Sequence, residues 1–314
     1  MNRILTVIVA SVLACLLLPS CSRESSESPK KPRVALIMKS LSNEFFKTME
    51  DGARAHAAAH PADYELRASG IPNEQDVSGQ IKLVNDMIGQ KVDAIIIAPA
   101  DSKSLVPVCK KAVDAGIIVI NIDNQLDVDT LKQNNVSIPF VGPDNRKGAK
   151  LAGEYLAAKL NAGDEVIIVE GLPTAFNAQQ RKAGFEDAIA SHKLKLGASQ
   201  TGKWETDEAR KVVSSLLPGH KDLKAILCAN DSMTIGAAAA LRATDRNDVL
   251  IVGFDNIKAV QELMKQGRVL CTVDQHGDQI AVFGIQHALD ILAKRTTGTD
   301  KDTPVDLVTK ENLK

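Results

Sequence analysis

The sequence predicts an α/β fold of two doubly wound parallel-sheet lobes, and three observations carry that prediction. From Arg33 onward, short runs of β-branched and apolar residues alternate with longer stretches whose apolar residues recur every three to four positions, the pattern of βαβ units. Ten strand-like runs are too many for one compact doubly wound sheet. The two halves also echo one another: strand, helix, strand recurs from Val34 and again from Glu165, and "VINID" closes at Asp123 as "IVGFD" closes at Asp255.

The chain opens with Arg3 and the uncharged stretch Ile4–Leu18, the charged start and short apolar centre of a secretory signal over residues 1–20. So few apolar residues are short for a membrane span. The segment ends in "LLPSC", similar to a bacterial lipobox, which would put a diacylglyceryl group on the thiol of Cys21; an incidental Cys21 after an ordinary secretion signal is the other reading. "SRESSESPKKPR", Ser22–Arg33, is too polar and proline-rich to bury a core and reads, from residue 21, as a flexible tether. The remainder, about 280 residues, is long enough for two modest domains. A net charge of −1 with scattered basic residues argues against a nucleic-acid surface.

Strands are expected at Val34–Met38, Tyr64–Ala68, Ala94–Ile97, Ile117–Asn121, Phe140–Gly142, Glu165–Glu170, Lys195–Ser199, Ala225–Ala229, Leu250–Gly253 and Val269–Val273. Between them, "EFFKTMEDGARAHAAAH", "DVSGQIKLVNDMIGQ", "KSLVPVCKKAVDAG", "RKGAKLAGEYLAAKL", "AQQRKAGFEDAIASH", "TDEARKVVSSLL", "DSMTIGAAAALRA" and "DQIAVFGIQHALDILAK" each carry one apolar helical face. Cys109, Cys228 and Cys271 are an odd set; the last two lie in strand-like runs, where a small buried thiol is the ordinary reading, and one bridge is compatible with the spacing. Asp123, Asp127 and Asp129 have metal-like spacing, but Val128 stands where a calcium loop needs glycine. No motif calls for a metal or cofactor.

In open α/β sheets, ligands sit beyond the carboxyl ends of the strands. The residues there are Lys39, Asn43, Phe45 and Phe46, then Asp123, Trp204, Asn230 with Asp231, Asp255 and Gln275. Planar carboxylates and amides match vicinal hydroxyls, and aromatic faces pack on the C–H faces of a sugar ring, so the set suits a neutral polyhydroxylated ligand. Each has a structural alternative: the phenylalanines as core, and Asn43, Asp123 and Asp255 as helix caps. Trp204 precedes a charged helix start, where a core role is harder to supply.

"KSLSNEFF", "VINIDNQ", "GFEDAIASH", "LCANDSMTIGA", "IVGFD" and "TVDQHGDQIA" together resemble the periplasmic sugar-binding proteins of the ribose-binding type, over nearly all of Arg33–Lys314. Carried over by that resemblance, the ligand contacts fall on Asn43, Phe45, Phe46, Asp123, Trp204, Asn230, Asp255 and Gln275. Lys39 and "DNQLDVDTLKQ" are closer to the D-allose-binding branch. An arginine of the family's second-half helix falls at Gln179, with Arg181 two residues on, and Asn124 stands where an arginine or glutamate is expected; a four- or five-carbon sugar or a polyol is therefore also compatible.

The resemblance further implies a monomer whose chain crosses between lobes near Pro143–Asp144, Gln275–His276 and Asp306–Leu307, giving one lobe of residues 34–143 and 276–306 and another of 144–275 and 307–314. It implies delivery of a D-allose-like hexose or ribose-like pentose to a membrane permease driven by an ATPase, from the extracytoplasmic face of a bacterial membrane, the periplasm in a Gram-negative cell. A sensor partner of a chemoreceptor or histidine kinase would use the same binding chemistry. An enzyme is disfavoured: Asp123 and Asp255 lie among amides and aromatics, and the first strand-to-helix turn lacks the glycines of a dinucleotide site. A sugar-responsive repressor would need a DNA-binding head instead of a secretion signal.

Overall fold

A computed structural model describes residues 31–313. The signal, Cys21 and residues 21–30 of the tether lie outside the described residues, and Arg33 already opens the first strand. Among the described residues no helix is long and apolar enough to cross a membrane.

Along the first strand, Val34, Leu36 and Met38 pack on one side and Ala35 and Ile37 on the other, all five fully buried. A strand apolar on both faces has to be covered by helices on both faces, which is why the chain alternates strand and helix. The first sheet contains β1 (Arg33–Ser40), β2 (Glu65–Ile71), β3 (Ala94–Ile97), β4 (Ile118–Ile122) and β5 (Phe140–Pro143), linked by α1 (Glu44–Ala59), α2 (Val77–Gly89), α3 (Val106–Asp114) and α4 (Val128–Gln133). The second part runs α5 (Asn145–Ala157), β6 (Glu165–Glu170), α6 (Phe176–Ser191), β7 (Lys195–Thr201), α7 (Thr206–Leu216), β8 (Leu223–Cys228), α8 (Asp231–Ala243), β9 (Leu250–Val252), α9 (Lys258–Lys265) and β10 (Cys271–Asp274). The chain then returns as α10 (Gly277–Leu292) and β11 (Lys301–Thr303) before ending in β12 (Asp306–Thr309).

The sheets read β2-β1-β3-β4-β5-β11 and β7-β6-β8-β9-β10-β12. They share one order, the physical form of the echo between the halves. Pairing is parallel throughout except where β12 runs antiparallel to β10. The order reverses beside β1 and beside β6, and at such switch points the strand ends open a crevice for a ligand.

The chain passes between sheets after β5 at Pro143–Asp144, after β10 at Gln275–His276, and between β11 and β12 at Pro304–Val305. The last passage comes before the expected Asp306–Leu307, because Asp306 already pairs with Asp274 in the second sheet. His276 ties two crossings together: its Nε2 lies 2.7 Å from Asp306 Oδ2. Of the elements not singled out from the sequence, α4, β11 and β12 are three to six residues long, too short to display a period, whereas α9 places Val260, Leu263 and Met264 at helical spacing. Cys109, Cys228 and Cys271 are all buried free thiols, so none forms the bridge their spacing allowed.

Helix α1 lies against α10 so closely that a Cβ on Gly52 would stand 2.2 Å from the Asp278 carbonyl oxygen. Gly52→Ala should therefore lower the unfolding free energy by about 1–3 kcal/mol in urea titrations, despite alanine's better helix propensity.

Candidate functional site

The strand ends meet around an interlobe space of about 20 Å³ lined by Lys39, Asn43, Phe45, Phe46, Glu74, Asp123, Asn177, Arg181, Trp204, Asn230, Asp255 and Gln275. That is far below the roughly 300–1,000 Å³ of pockets that hold drug-sized ligands. From the first lobe, Lys39 projects from the carboxyl end of β1, and Asn43 caps α1 by accepting from Phe45 N–H at 3.1 Å. The cap leaves the Asn43 amide nitrogen free to donate to Glu74 Oε1, also at 3.1 Å. Phe45 and Phe46 follow in the first turn and meet edge to face, 5.1 Å between centroids. They belong to the hydrophobic core and to the wall of the cavity at once.

The Lys39 ammonium lies 3.6 Å from Asp123 and 4.0 Å from Glu74, all three side chains almost wholly buried. It is also 5.6 Å from the ring centroids of Phe46 and Trp204, one from each lobe. Burial pushes the Glu74 carboxyl up to about 7, the nearby Lys39 charge and the Asn43 hydrogen bond offsetting part of that cost.

From the second lobe, Asn177 and Arg181 stand one helical turn apart on α6. Arg181 Nε donates to Asn145 Oδ1 and one terminal nitrogen to the Ala229 carbonyl, both at 2.8 Å; the same nitrogen reaches Asp255 Oδ1 at 3.4 Å. Its guanidinium covers the Phe254 ring at 3.7 Å and lies 5.6 Å from the centroid of Trp204. Asn230 caps α8 through Met233 N–H and donates to the Trp204 carbonyl at 3.3 Å. Gln275, at the second crossing, donates to Asp255 Oδ1 at 2.7 Å. Asp255 is raised well above the usual carboxylate range by burial, against the pull of Arg181. Neither Asp123 nor Asp255 caps a helix; Asp127 caps α4, and Ile257 precedes α9.

Three lining residues hold left-handed backbone, Asp123 at φ +61°, Trp204 at +69° and Asp255 at +124°. Such conformations in non-glycine residues persist only where the surroundings impose them. For Asp255 the constraint is Asp231, whose fully buried carboxylate accepts from Ile257 N–H at 3.0 Å and from the Thr272 hydroxyl at 2.9 Å. A Cβ on Gly253 would meet that carboxylate at 2.1 Å, so the loop can wrap it only with glycine there. Likewise, a Cβ on Gly171 would strike the Trp204 ring at 2.1 Å.

Two sequence-predicted residues lie elsewhere. Gln179 turns outward and donates to the Pro173 carbonyl at 2.8 Å; two residues along a helix is about 200° of rotation, so it cannot share a face with Asn177 and Arg181. Asn124 is buried beside the cavity, donating to the Pro99 carbonyl at 2.9 Å, and is not among its lining residues. Glu74 and Asn177 line the cavity without having been singled out. Glu74 sits on the loop after an edge strand, and Asn177 carried no signal beyond its spacing of four from Arg181.

Four buried polar atoms of the lining residues have no hydrogen-bond partner: Asp123 Oδ2, which faces the Lys39 ammonium at 3.6 Å, Asn177 Oδ1, Gln275 Oε1 and Trp204 Nε1. Orphaned buried polar groups are costly and rare. Three acceptors and a donor, walled by aromatic rings, form a cage for a small molecule bearing several hydroxyl groups, each of which donates and accepts. No cluster of three or more potential metal ligands occurs among the described residues. A larger groove of about 600 Å³ lies at the far end of the second lobe, where Lys159, Arg242, Arg246 and Arg268 surround it. Those cations stand at the carboxyl ends of α5, α8 and α9, where they complement the helix dipoles.

Glu74 provides a test by pH. A carboxyl held above its ordinary value of 4.5 keeps its proton more tightly in the folded protein, so its stabilisation is complete below about pH 4.5 and lost as pH rises through about 7. Glu74→Gln keeps the shape and removes the titration. Urea titrations should show the variant gaining about 1–3 kcal/mol relative to the native chain between pH 4.5 and 8; a constant difference would mean that Glu74 stays ionised beside Lys39.

Residues 34–296 match the family model described as a periplasmic binding protein domain. The chain is 52% identical over 313 residues to the D-ribose/D-allose-binding protein of Pseudomonas aeruginosa, covering 98% of each. It superposes on an ABC transporter solute-binding protein from Burkholderia multivorans, whose unknown ligand is represented as α-D-erythrofuranose, with a TM-score of 0.87, 54% identity and coverage of 89% of this chain and 100% of that one. A periplasmic solute-binding protein from Actinobacillus succinogenes with bound D-allose gives a TM-score of 0.84 at 35% identity, covering 90% and 99%. The chain belongs to the periplasmic binding protein family.

Proposed function

We propose that the protein captures a single monosaccharide, a D-allose-like aldohexose or a ribose-like pentose, between its lobes and delivers it to an ABC importer. The observation that carries this reading is the group of four buried polar atoms without hydrogen-bond partners on residues that line one small aromatic-walled cavity. The relatives named for ribose and allose, and the solved structure holding D-allose, support the sugar class. In this reading Phe46 and Trp204 pack on the sugar ring from opposite lobes, Asp123, Asn177 and Gln275 accept from its hydroxyls, and Trp204 Nε1 donates to one. Ligand bonds from both lobes favour the closed arrangement by no more than the ligand's differential affinity for it. The protein acts as a monomer at the extracytoplasmic face of its membrane, tethered through a lipid on Cys21. The transporter, not this chain, supplies the energy.

A thermal-shift screen of aldoses, ketoses and polyols should give its strongest response with D-allose, then ribose, then a sugar alcohol, because a ligand selective for the native state raises the melting temperature by mass action. Saturating sugar should change the fluorescence of Trp204, the only tryptophan in the chain. Asp255→Ala should weaken binding about 5- to 150-fold in calorimetry, the cost of unpairing a buried hydrogen-bonded group. A response confined to amino acids, peptides or metal ions would sink the sugar reading.

Anchoring is tested separately. Cys21→Ala should move the protein from the membrane to the soluble fraction while leaving sugar affinity unchanged. Unaltered fractionation would remove the lipobox reading alone.

A further inference from the structure

Three helices of the second lobe, α6, α7 and α9, begin without a side-chain cap of their own, and α6 and α9 meet the other lobe at that end. The residue before α6 is Ala175 and the residue before α9 is Ile257, and neither side chain accepts a hydrogen bond from its helix. The first amides of a helix need partners, and serine, threonine, asparagine and aspartate are the residues that usually supply them. Here the partners come from the other lobe. Ser102 Oγ accepts from Phe176 N–H at 2.9 Å and Asn124 Oδ1 from Asn177 N–H at 3.1 Å. Glu44 Oε1 accepts from Lys258 N–H at 2.9 Å.

The Asn124 amide is already oriented for this role, because its nitrogen donates to the Pro99 carbonyl at 2.9 Å and to Ser102 Oγ at 3.2 Å, leaving its oxygen for α6. Beside these contacts a backbone bond from Ser102 N–H to the Thr174 carbonyl, 3.2 Å, also spans the lobes. On the α9 side, Glu44 is a single side chain in the first turn of α1 whose carboxylate complements the positive end of the facing helix. Neither Ser102, Asn124 nor Glu44 lines the cavity, yet α6 carries Asn177 and Arg181, and the loop before α9 carries Asp255.

We propose that Ser102 with Asn124, and Glu44 on the other helix, are two interlobe capping latches that set the protein's affinity without touching its ligand. When the lobes meet, side chains of one lobe complete helices of the other; when they part, water takes over both partners. The inference rests on the ligand-gated closure proposed above. Apparent affinity is the intrinsic affinity scaled by the population of the competent state, so a lost latch weakens every ligand by one common factor. A residue that touches the ligand would instead discriminate between ligands.

The test titrates D-allose and D-ribose into the full chain and into Glu44→Ala, Asn124→Ala and the double variant. Each single change should weaken binding of both sugars by the same factor, about 2- to 30-fold, the range of a lost helix cap expressed as an affinity. The factors should multiply in the double variant. In amide hydrogen exchange, sugar should protect Phe176, Asn177 and Lys258 in the native chain, and Lys258 should lose that gain in Glu44→Ala. Thermal unfolding without sugar checks that Asn124→Ala remains folded; Glu44, only partly buried and bonded to nothing else, keeps the test decisive if it does not. Native affinity in the Glu44 variant, or unequal losses for the two sugars, would overturn the latch. Absence of binding to the native chain would remove the sugar reading itself, and this inference with it.

Discussion

A guanidinium taken almost wholly out of water has to be surrounded by acceptors, and the second half of the site is built around meeting that demand for Arg181. Its partners come from three places in the sequence: Asn145 at the start of α5, the Ala229 carbonyl just after β8, and, beyond β9, Asp255 with the ring of Phe254 beneath the guanidinium. Satisfying one buried cation therefore fixes the relative positions of α5, α6, β8 and β9. It also aligns Asp255 with Gln275, a residue at one of the crossings between lobes. Removing the arginine would leave a buried carboxylate without its counter-charge, at the point where both lobes and the hinge meet.

The opposite half uses the same physics with a smaller cation. Lys39 is held between Asp123 and Glu74, and Glu74 is held in turn by the spare donor of the Asn43 cap. Local structure and site chemistry thus share atoms: Asn43 and Asn230 each start a helix with the oxygen and present the nitrogen to the cavity side. The left-handed backbone of Asp123, Trp204 and Asp255 is the conformational cost of turning those side chains inward. Asp231 holds the third of these turns from beneath, burying a carboxyl pushed up to about 7 mainly by desolvation.

The lobes meet through complementary incompleteness. α6 and α9 lack caps that the facing lobe provides, and the cavity keeps polar atoms that a polyhydroxylated ligand would satisfy. In the closure proposed above, both sets of groups return to water when the lobes separate, so each contributes a modest difference between open and closed arrangements. A binding protein that must release its cargo needs such modest terms, because an interface sealed by a large apolar area would not reopen.

The sequence by itself determined the alternation of strands and helices, the duplication of one winding order, and the residues at most strand ends, because those features follow from local periodicity and from the single rule that ligands gather at carboxyl ends. It also carried the motifs from which family membership was legible. Only the tertiary structure decided which of the polar residues near those ends share a cavity. Gln179 and Arg181 are two residues apart and equally polar, and the rotation of α6 against α5 and β8 chooses between them. Asn124 follows Asp123 directly, yet the left-handed turn at Asp123 sends one side chain to the cavity and the other to the start of α6. Glu74 comes into the site from an edge-strand loop whose sequence has no period to mark it, and it is Lys39, across the sheet from it, that makes its burial tolerable. Such choices depend on distances between segments far apart in the chain, and a local pattern contains no measure of those distances.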